Sequence, residues 1–206
     1  MKQRGFTLVE ILVVTAVTSV ILIFLTQIFF SSLRGGNKAQ ALAIIKQNGQ
    51  SVLDTLDKNI RNSDNIVCPA IPTGATSATS NTLVIVKNGI FTRYRFKNAS
   101  NGSIGELDQD TPVQDLQDPN QQNINNFINL NLCNESDPLQ APTVNAVTDN
   151  GPSSVSVSNG VFIRNKPKGF KDVVTIDFDL SPAGDLNLKT FGQLSPVPFK
   201  TTVELR

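Results

Sequence analysis

Histidine is absent from this 206-residue chain, and so is tryptophan. Without an imidazole, Ser-His-Asp and Cys-His catalysis, His-based zinc sites and His proton shuttles are excluded. Two cysteines are too few for a structural zinc cage or an iron–sulfur cluster. Tyr94 is the single tyrosine, so almost every ring is a phenylalanine. An excess of charge is missing as well. Eighteen Lys+Arg against 17 Asp+Glu leave a net charge of +1, which argues against a strongly basic nucleic-acid binder. Any chemistry left would fall to carboxylates, lysines or hydroxyls, and no catalytic constellation of them is visible. The expectation is a non-enzyme with no catalytic residue, no metal and no cofactor.

What the chain does have is a sharp segregation of apolar residues. Phe6 to Phe30 is 25 residues long with Glu10 as its one charge, and Ile11 to Phe30 has none. As a helix, 25 residues rise about 37 Å, against a bilayer core of about 30 Å. Lys2 and Arg4 precede the run with no acid among them, which holds the short N-terminus in the cytoplasm. Arg34 and Lys38, just past the other end, weaken that asymmetry. The expected topology is single-pass in the cytoplasmic membrane, with the polar remainder outside, where disulfides are permitted. An ordinary secretory signal has a shorter apolar run and a small-residue cleavage site. Here Ser31-Ser32-Leu33-Arg34-Gly35-Gly36 follows instead, so the residues by themselves describe a retained anchor.

The junction before the run reads Lys2-Gln3-Arg4-Gly5-Phe6-Thr7-Leu8-Val9-Glu10. A basic leader ending in glycine, a phenylalanine opening the span and a glutamate four residues later resemble the class III signal of type IV pilins and pseudopilins. In that family a membrane prepilin peptidase cuts after the glycine and methylates the new N-terminal phenylalanine. The resemblance therefore implies a cut between Gly5 and Phe6, with the apolar helix kept in the mature chain. It also implies assembly into a filament with other major and minor subunits on an inner-membrane platform, after residence in the membrane. Glu10 has a physical argument of its own. A carboxylate in a membrane helix costs roughly 2.5–3.5 kcal/mol when central and less near an end, so it usually has a partner. Cleavage would place an amine at Phe6, about one turn away. In the resemblance this glutamate neutralises the amine of a neighbouring subunit, which is preferred here to a Glu snorkelling to the interface.

The domain reading is a leader at 1–5, a transmembrane half-helix at 6–33, an amphipathic half at 34–63 and a β-rich domain at 64–206. Leu42, Ile45, Val52, Leu53, Leu56 and Ile60 recur mostly at steps of three and four, one stripe of a helix packed on the domain's own sheet. Asp54–Lys58 and Asp57–Arg61 are i,i+4 pairs in the favourable order. Gly35-Gly36 and Gly49 interrupt the helix, the pair as a hinge or locally melted turn or as tolerated glycines in a continuous helix. Thr82–Lys87 and Ile90–Phe96 flank Asn88-Gly89, a hairpin signal that pairs Leu83 with Tyr94 and Ile85 with Thr92. Arg93 and Arg95 are read as solvated strand charges in preference to a binding patch. A second tight hairpin is expected around Asn159-Gly160, between Val155–Ser158 and Val161–Arg164. Val174, Ile176, Phe178 and Leu180 mark one half-buried strand, and Phe199, Thr201, Val203 and Leu205 another.

Residues 97–151 are the least regular and are read as a long loop, with a short element around Ile124 to Leu132. Asp108, Asp110, Asp115 and Asp118 lack EF-hand spacing and are read as an ordinary acidic loop. The triplets at Asn98 and Asn101 match glycosylation acceptors and are attributed to chance. The basic run Arg164, Lys166, Lys168 and Lys171 is read as a solvated loop, so nucleic acid is disfavoured as a partner. The fold class expected is α+β, a long N-terminal transmembrane-to-soluble helix packed against an antiparallel sheet. A finer resemblance, to the minor pseudopilin J and minor pilin W groups, rests on three segments. They are Val52 to Asn62, Arg93-Tyr94-Arg95-Phe96, and the ending Phe199 to Arg206. It implies a low-abundance subunit near a filament tip. The alternatives are a tip adhesin or DNA-uptake subunit, and a signal-anchored surface protein of another class. The domain lies outside the cytoplasm, the cysteine count is even and only one connectivity exists, so a Cys68–Cys133 disulfide is expected.

Overall fold

One helix, α1 (Leu8–Arg61), carries two different surfaces along its length. The computed structural model describes residues 7–100, 103–112, 133, 145–148, 155–184 and 194–206. These fall into two compact units, Met1–Gln40 and Ala41–Arg206. In the first, the apolar side chains of α1 from Leu8 to Leu33 are exposed. Thr15, Thr18, Ser19 and Thr26 return their hydroxyls to carbonyls three or four residues earlier, so these four are satisfied within the helix. Gly35 and Gly36 are helical and have open space around them, which fits tolerated glycines.

In the second unit α1 buries Ala41, Ile45, Gly49, Val52, Leu56 and Ile60, a stripe at steps of three and four. Gly49 belongs to the stripe as a contact, because a Cβ there would collide with the ring of Phe199. The helix ends after Arg61, where Ser63 N–H and Oγ both bond the Ile60 carbonyl, at 3.1 and 2.7 Å. Asp57 and Arg61 form the expected i,i+4 pair at 2.9 Å. Asp54 and Lys58 form none among the described residues.

The stripe packs on two antiparallel sheets, where one was expected. The first has the order β1-β3-β4-β5-β6, from β1 (Asn65–Cys68), β3 (Thr82–Lys87), β4 (Ile90–Lys97), β5 (Glu106–Asp110) and β6 (Asn145–Ala146). The second has the order β2-β7-β8-β9, from β2 (Ser77–Ser80), β7 (Val155–Asn165), β8 (Val173–Pro182) and β9 (Val197–Glu204). Asn88 and Gly89 turn β3 into β4 with φ of 50° and 78°, and the register sets Leu83 opposite Tyr94 and Ile85 opposite Thr92, as expected.

Asn159-Gly160 is not a hairpin turn. β7 runs through it as one strand of 11 residues, with a shift in pairing between Ser158 and Val161. The pair forms a bulge whose backbone is held by Asn98: Gly160 N–H donates to Asn98 Oδ1 at 2.6 Å, and Asn98 Nδ2 donates to the Gly160 carbonyl at 3.3 Å. Pairing along the whole of β8 outweighs the local turn preference.

Leu83, Ile85, Tyr94 and Phe96 join Phe162, Val174, Ile176, Phe178 and Leu180 in the core shared with the helix stripe. Its centre is a run of rings: Phe96 lies 4.7 Å from Phe162 and 5.6 Å from Phe178, and Phe178 lies 5.4 Å from Phe199. Tyr94 accepts a hydrogen bond from Asn59 Nδ2 at 2.6 Å. The other face of the first sheet is also buried, with Val67, Cys68, Val84, Val86 and Phe91 as a second cluster.

That second burial corrects the reading of Arg93 and Arg95 as solvated. Arg93 is fully buried and forks onto Asp110, Nε to Oδ1 at 2.9 Å and Nη2 to Oδ2 at 2.6 Å. Arg95 donates to Thr82 Oγ1 at 3.2 Å. Asp108 and Asp110 are accordingly strand residues of β5 and not an acidic loop, while Asp115, Asp118 and Ile124 to Leu132 lie outside the described residues. Lys97 Nζ approaches Asp108 Oδ2 to 2.5 Å and Glu106 Oε1 to 3.2 Å. The first of these is a close ion pair. Burial pushes the Asp108 carboxyl above the usual carboxylate range, and Lys97 offsets this only in part.

Two predictions follow from the burial of these groups. Asp110→Ala strands a buried guanidinium and should cost about 3–5 kcal/mol, whereas Arg93→Met with Asp110→Leu should recover most of the loss. Urea unfolding of the detergent-solubilised chain measures both. Burial also pushes the Tyr94 phenol up, with the Asn59 bond opposing it to a lesser degree. The unfolded phenol ionises near 10, so the unfolded chain loses its proton first and stability falls as pH rises past about 10. Tyrosinate absorbance reports Tyr94 alone, because there is no other tyrosine and no tryptophan. It should appear above pH 10 while the chain is folded and return to the ordinary range in denaturant.

Candidate processing and assembly site

Gly5 and Phe6 lie outside the described residues. The site is therefore built from Thr7 onward. Thr7 caps α1: its carbonyl accepts from Glu10 N–H at 3.1 Å and Ile11 N–H at 3.3 Å, and its Oγ1 accepts from Glu10 N–H at 3.3 Å. Thr7 and Glu10 have the Thr-x-x-Glu spacing of a capping box. The Thr-x-x-Glu spacing ahead of an apolar run is the sequence signal of this cap.

Glu10 sits in the first turn, exposed, at the end of the helix where the backbone dipole favours an anion. Among the described residues its carboxylate makes no hydrogen bond or ion pair. Behind it α1 is long and apolar enough to cross a membrane, and none of that segment is buried in the protein. The described residues contain no cluster of His, Cys, Asp or Glu able to hold a metal ion.

Residues 1–26 match the family model described as the prokaryotic N-terminal methylation motif. The chain carries a type IV pilin-like class III signal. The match covers the leader, Phe6, Glu10 and most of the apolar run, the residues on which the resemblance rested. No curated protein and no solved structure matches the chain significantly. The methylation motif supports a prepilin-type N-terminus, while the β-rich unit has to be read from its own geometry.

The other expected site residues are joined. Cys68 and Cys133 form a disulfide with Cα atoms 5.5 Å apart. Cys68 is fully buried beside Val84, Val86 and Phe91. The backbone on either side of it is gripped by Arg164, whose Nη1 donates to the Val67 carbonyl at 3.2 Å and the Pro69 carbonyl at 3.1 Å. Arg164 also pairs with Asp172 and is buried, which corrects its place in a solvated basic run. A lone arginine in a strand gives no sequence signal that it will cap carbonyls of another sheet. The disulfide closes a sequence separation of 65 residues, for which chain entropy gives about 4 kcal/mol. Cys68→Ser with Cys133→Ser should lower unfolding stability by about that amount, and reductant should shift the wild type, but not the double variant, to the same midpoint.

Proposed function

We propose that this chain is a structural prepilin-type subunit, matured by prepilin peptidase between Gly5 and Phe6 and N-methylated at Phe6. Residues 1–5 are then the leader, 6–33 the membrane half of the helix, 34–63 its amphipathic half and 64–206 the extracytoplasmic domain. Before assembly the N-terminus faces the cytoplasm and the domain lies outside. From there the subunit enters a type IV pilus or a secretion or competence pseudopilus through the inner-membrane platform and its fellow subunits. The observation that carries the reading is the methylation motif running into the exposed apolar part of α1, whose one charge from Leu8 to Leu33 is Glu10. A minor role near the tip, in the pseudopilin J or pilin W manner, is supported by the scattered resemblance of Val52 to Asn62, Arg93 to Phe96 and Phe199 to Arg206. All three segments have structural work of their own here, in the helix stripe, in the Arg93–Asp110 pair and in the Phe199 ring against Gly49.

Co-expression with a prepilin peptidase and a filament system tests the proposal. Intact mass should show loss of the five leader residues and gain of one methyl, and Gly5→Leu should abolish both changes. Glu10→Ala should insert and be cleaved but enter filaments far less than wild type. An uncut wild-type chain that still works, or wild-type incorporation of the Glu10 variant, would refute the corresponding half.

A further inference from the structure

Among the described residues the strands at the sheet edges are β1, β6, β2 and β9, and three of them are poor templates for a further strand. β1 and β2 have four residues each, β6 has two, and the pairing of β1 shifts between Ile66 and Cys68. β9 differs. It has eight residues, its pairing with β8 is unbroken, and no described strand lies on its other side. Leu205 N–H donates to the carbonyl of Asp172, directly opposite, at 2.9 Å. Alternating from that bond, Val203, Thr201 and Phe199 exchange hydrogen bonds with β8, so Lys200, Thr202 and Glu204 turn their N–H and C=O groups away from it. Among the described residues no backbone group bonds those outward ones. The side chains of Lys200, Thr202 and Glu204 are exposed. On the inner face Phe199 is only half-buried, although Phe178 beside it on β8 is fully buried, so the edge leaves part of the outer ring in water.

We propose that β9 pairs antiparallel with β9 of a second copy of this chain, about a two-fold axis at Thr202, and joins the two β2-β7-β8-β9 sheets into one. In that register the edge is complementary to itself. Thr202 meets the partner's Thr202, Lys200 meets the partner's Glu204, and Glu204 meets the partner's Lys200. Each of these pairs exchanges two main-chain hydrogen bonds, and the outer two set opposite charges face to face. On the inner face Phe199 meets the partner's Leu205, which covers the open part of the ring. Proline and lysine on an edge ordinarily resist pairing. Here they select the register. Pro198 faces outward without an N–H and confines full pairing to the residues after it, and Lys200 disfavours any register that sets it opposite itself. Lys200 meets Asp177 on β8 at 2.6 Å, but its side chain stays 62% exposed and has donors left for a second carboxylate. A strand donated by another protein would need an acid opposite Lys200 and a base opposite Glu204, which a second copy already supplies. The contact uses the Ala41–Arg206 unit alone and stands apart from the anchor reading.

Because Cys68 and Cys133 are bonded to each other, Thr202→Cys gives the full chain a single free thiol. Opposed Cα atoms of a hydrogen-bonded pair, about 5.5 Å apart, lie within disulfide reach. In detergent, mild oxidation should link Thr202→Cys copies to one another. It should not link Ser77→Cys copies, whose thiol lies on β2 at the far edge of the same sheet. In the Thr202→Cys background, Lys200→Glu sets like charges opposite each other and should raise the protein concentration for half-maximal linking about tenfold. Glu204→Lys should do the same. Mixed, the two charge variants should link to each other at the unreversed concentration, because each supplies the charges the other lacks, and that recovery shows both to be folded. Equal linking at positions 77 and 202 would assign the association to another part of the chain. No linking at 202 would exclude the pair, and linking there that ignores the charge reversals would exclude this register. Each of these three outcomes overturns the proposal.

Discussion

The C-terminal unit depends on burying one stripe of α1, from Ala41 to Ile60, against the rings of Phe96, Phe162, Phe178 and Phe199. An isolated helix of this composition gains little from propensity alone, and its stability comes from such packing. The stripe reaches both sheets because the aromatic run crosses from β4 to β7, β8 and β9. Gly49 shows how close the approach is. The helix interior accepts a residue about 1 kcal/mol worse than alanine there because the Phe199 ring fills the space a side chain would take.

Burying the first sheet on both faces creates a demand that the second sheet does not face. Side chains that point away from the helix on β4 must be apolar or fully paired, since an isolated buried charge is far more expensive than an exposed one. Arg93 meets the demand through Asp110 on the adjoining strand, and one of the Arg95 donors goes to Thr82. On β8 the outward residues Thr175, Asp177 and Asp179 are only half-buried, and Asp177 pairs with an exposed Lys200. The same residue types therefore carry very different energies in the two sheets. Asp110 fixes the β4–β5 register, whereas the Asp177 pair is a screened surface contact of little consequence.

This difference also explains what could be read from the sequence and what could not. The helix stripe, the Asn88-Gly89 hairpin, β8 and β9 announce themselves by period and turn chemistry, which are local. β5 does not: Glu106-Leu107-Asp108-Gln109-Asp110 looks like a loop until its partners Arg93, Arg95 and Lys97 are opposite it. β1 and β2 are four residues each, too short for a period to show. Asn159-Gly160 has the local signature of a turn and is overruled by pairing with β8 and by Asn98, 62 residues earlier. At the N-terminus the reverse holds. The charge pattern, the Gly5-Phe6 junction and the Thr7 to Glu10 capping spacing are all local signals in the sequence.

On the proposed reading, the two environments of the subunit meet at Glu10. In a bilayer its position at the start of α1 keeps the carboxylate near the interface, where insertion is cheaper than at the centre and water is still within reach. From Ile11 to Phe30 the helix behind it asks little of its surroundings, since its side-chain hydroxyls are bonded internally and, Gln27 apart, its other side chains are apolar. Lipid and a neighbouring apolar helix therefore serve the segment from Ile11 to Phe30 almost equally well, and a change of partner there has little driving force. The carboxylate is different. Withdrawn from the interface into a helix assembly it loses its water, and a cation such as a freed amine at Phe6 would restore what was lost. The discrimination between unassembled and assembled states then falls on one ionised side chain and on the cleavage that creates its counter-charge. This accounts for a single acid being retained in an otherwise uncharged run.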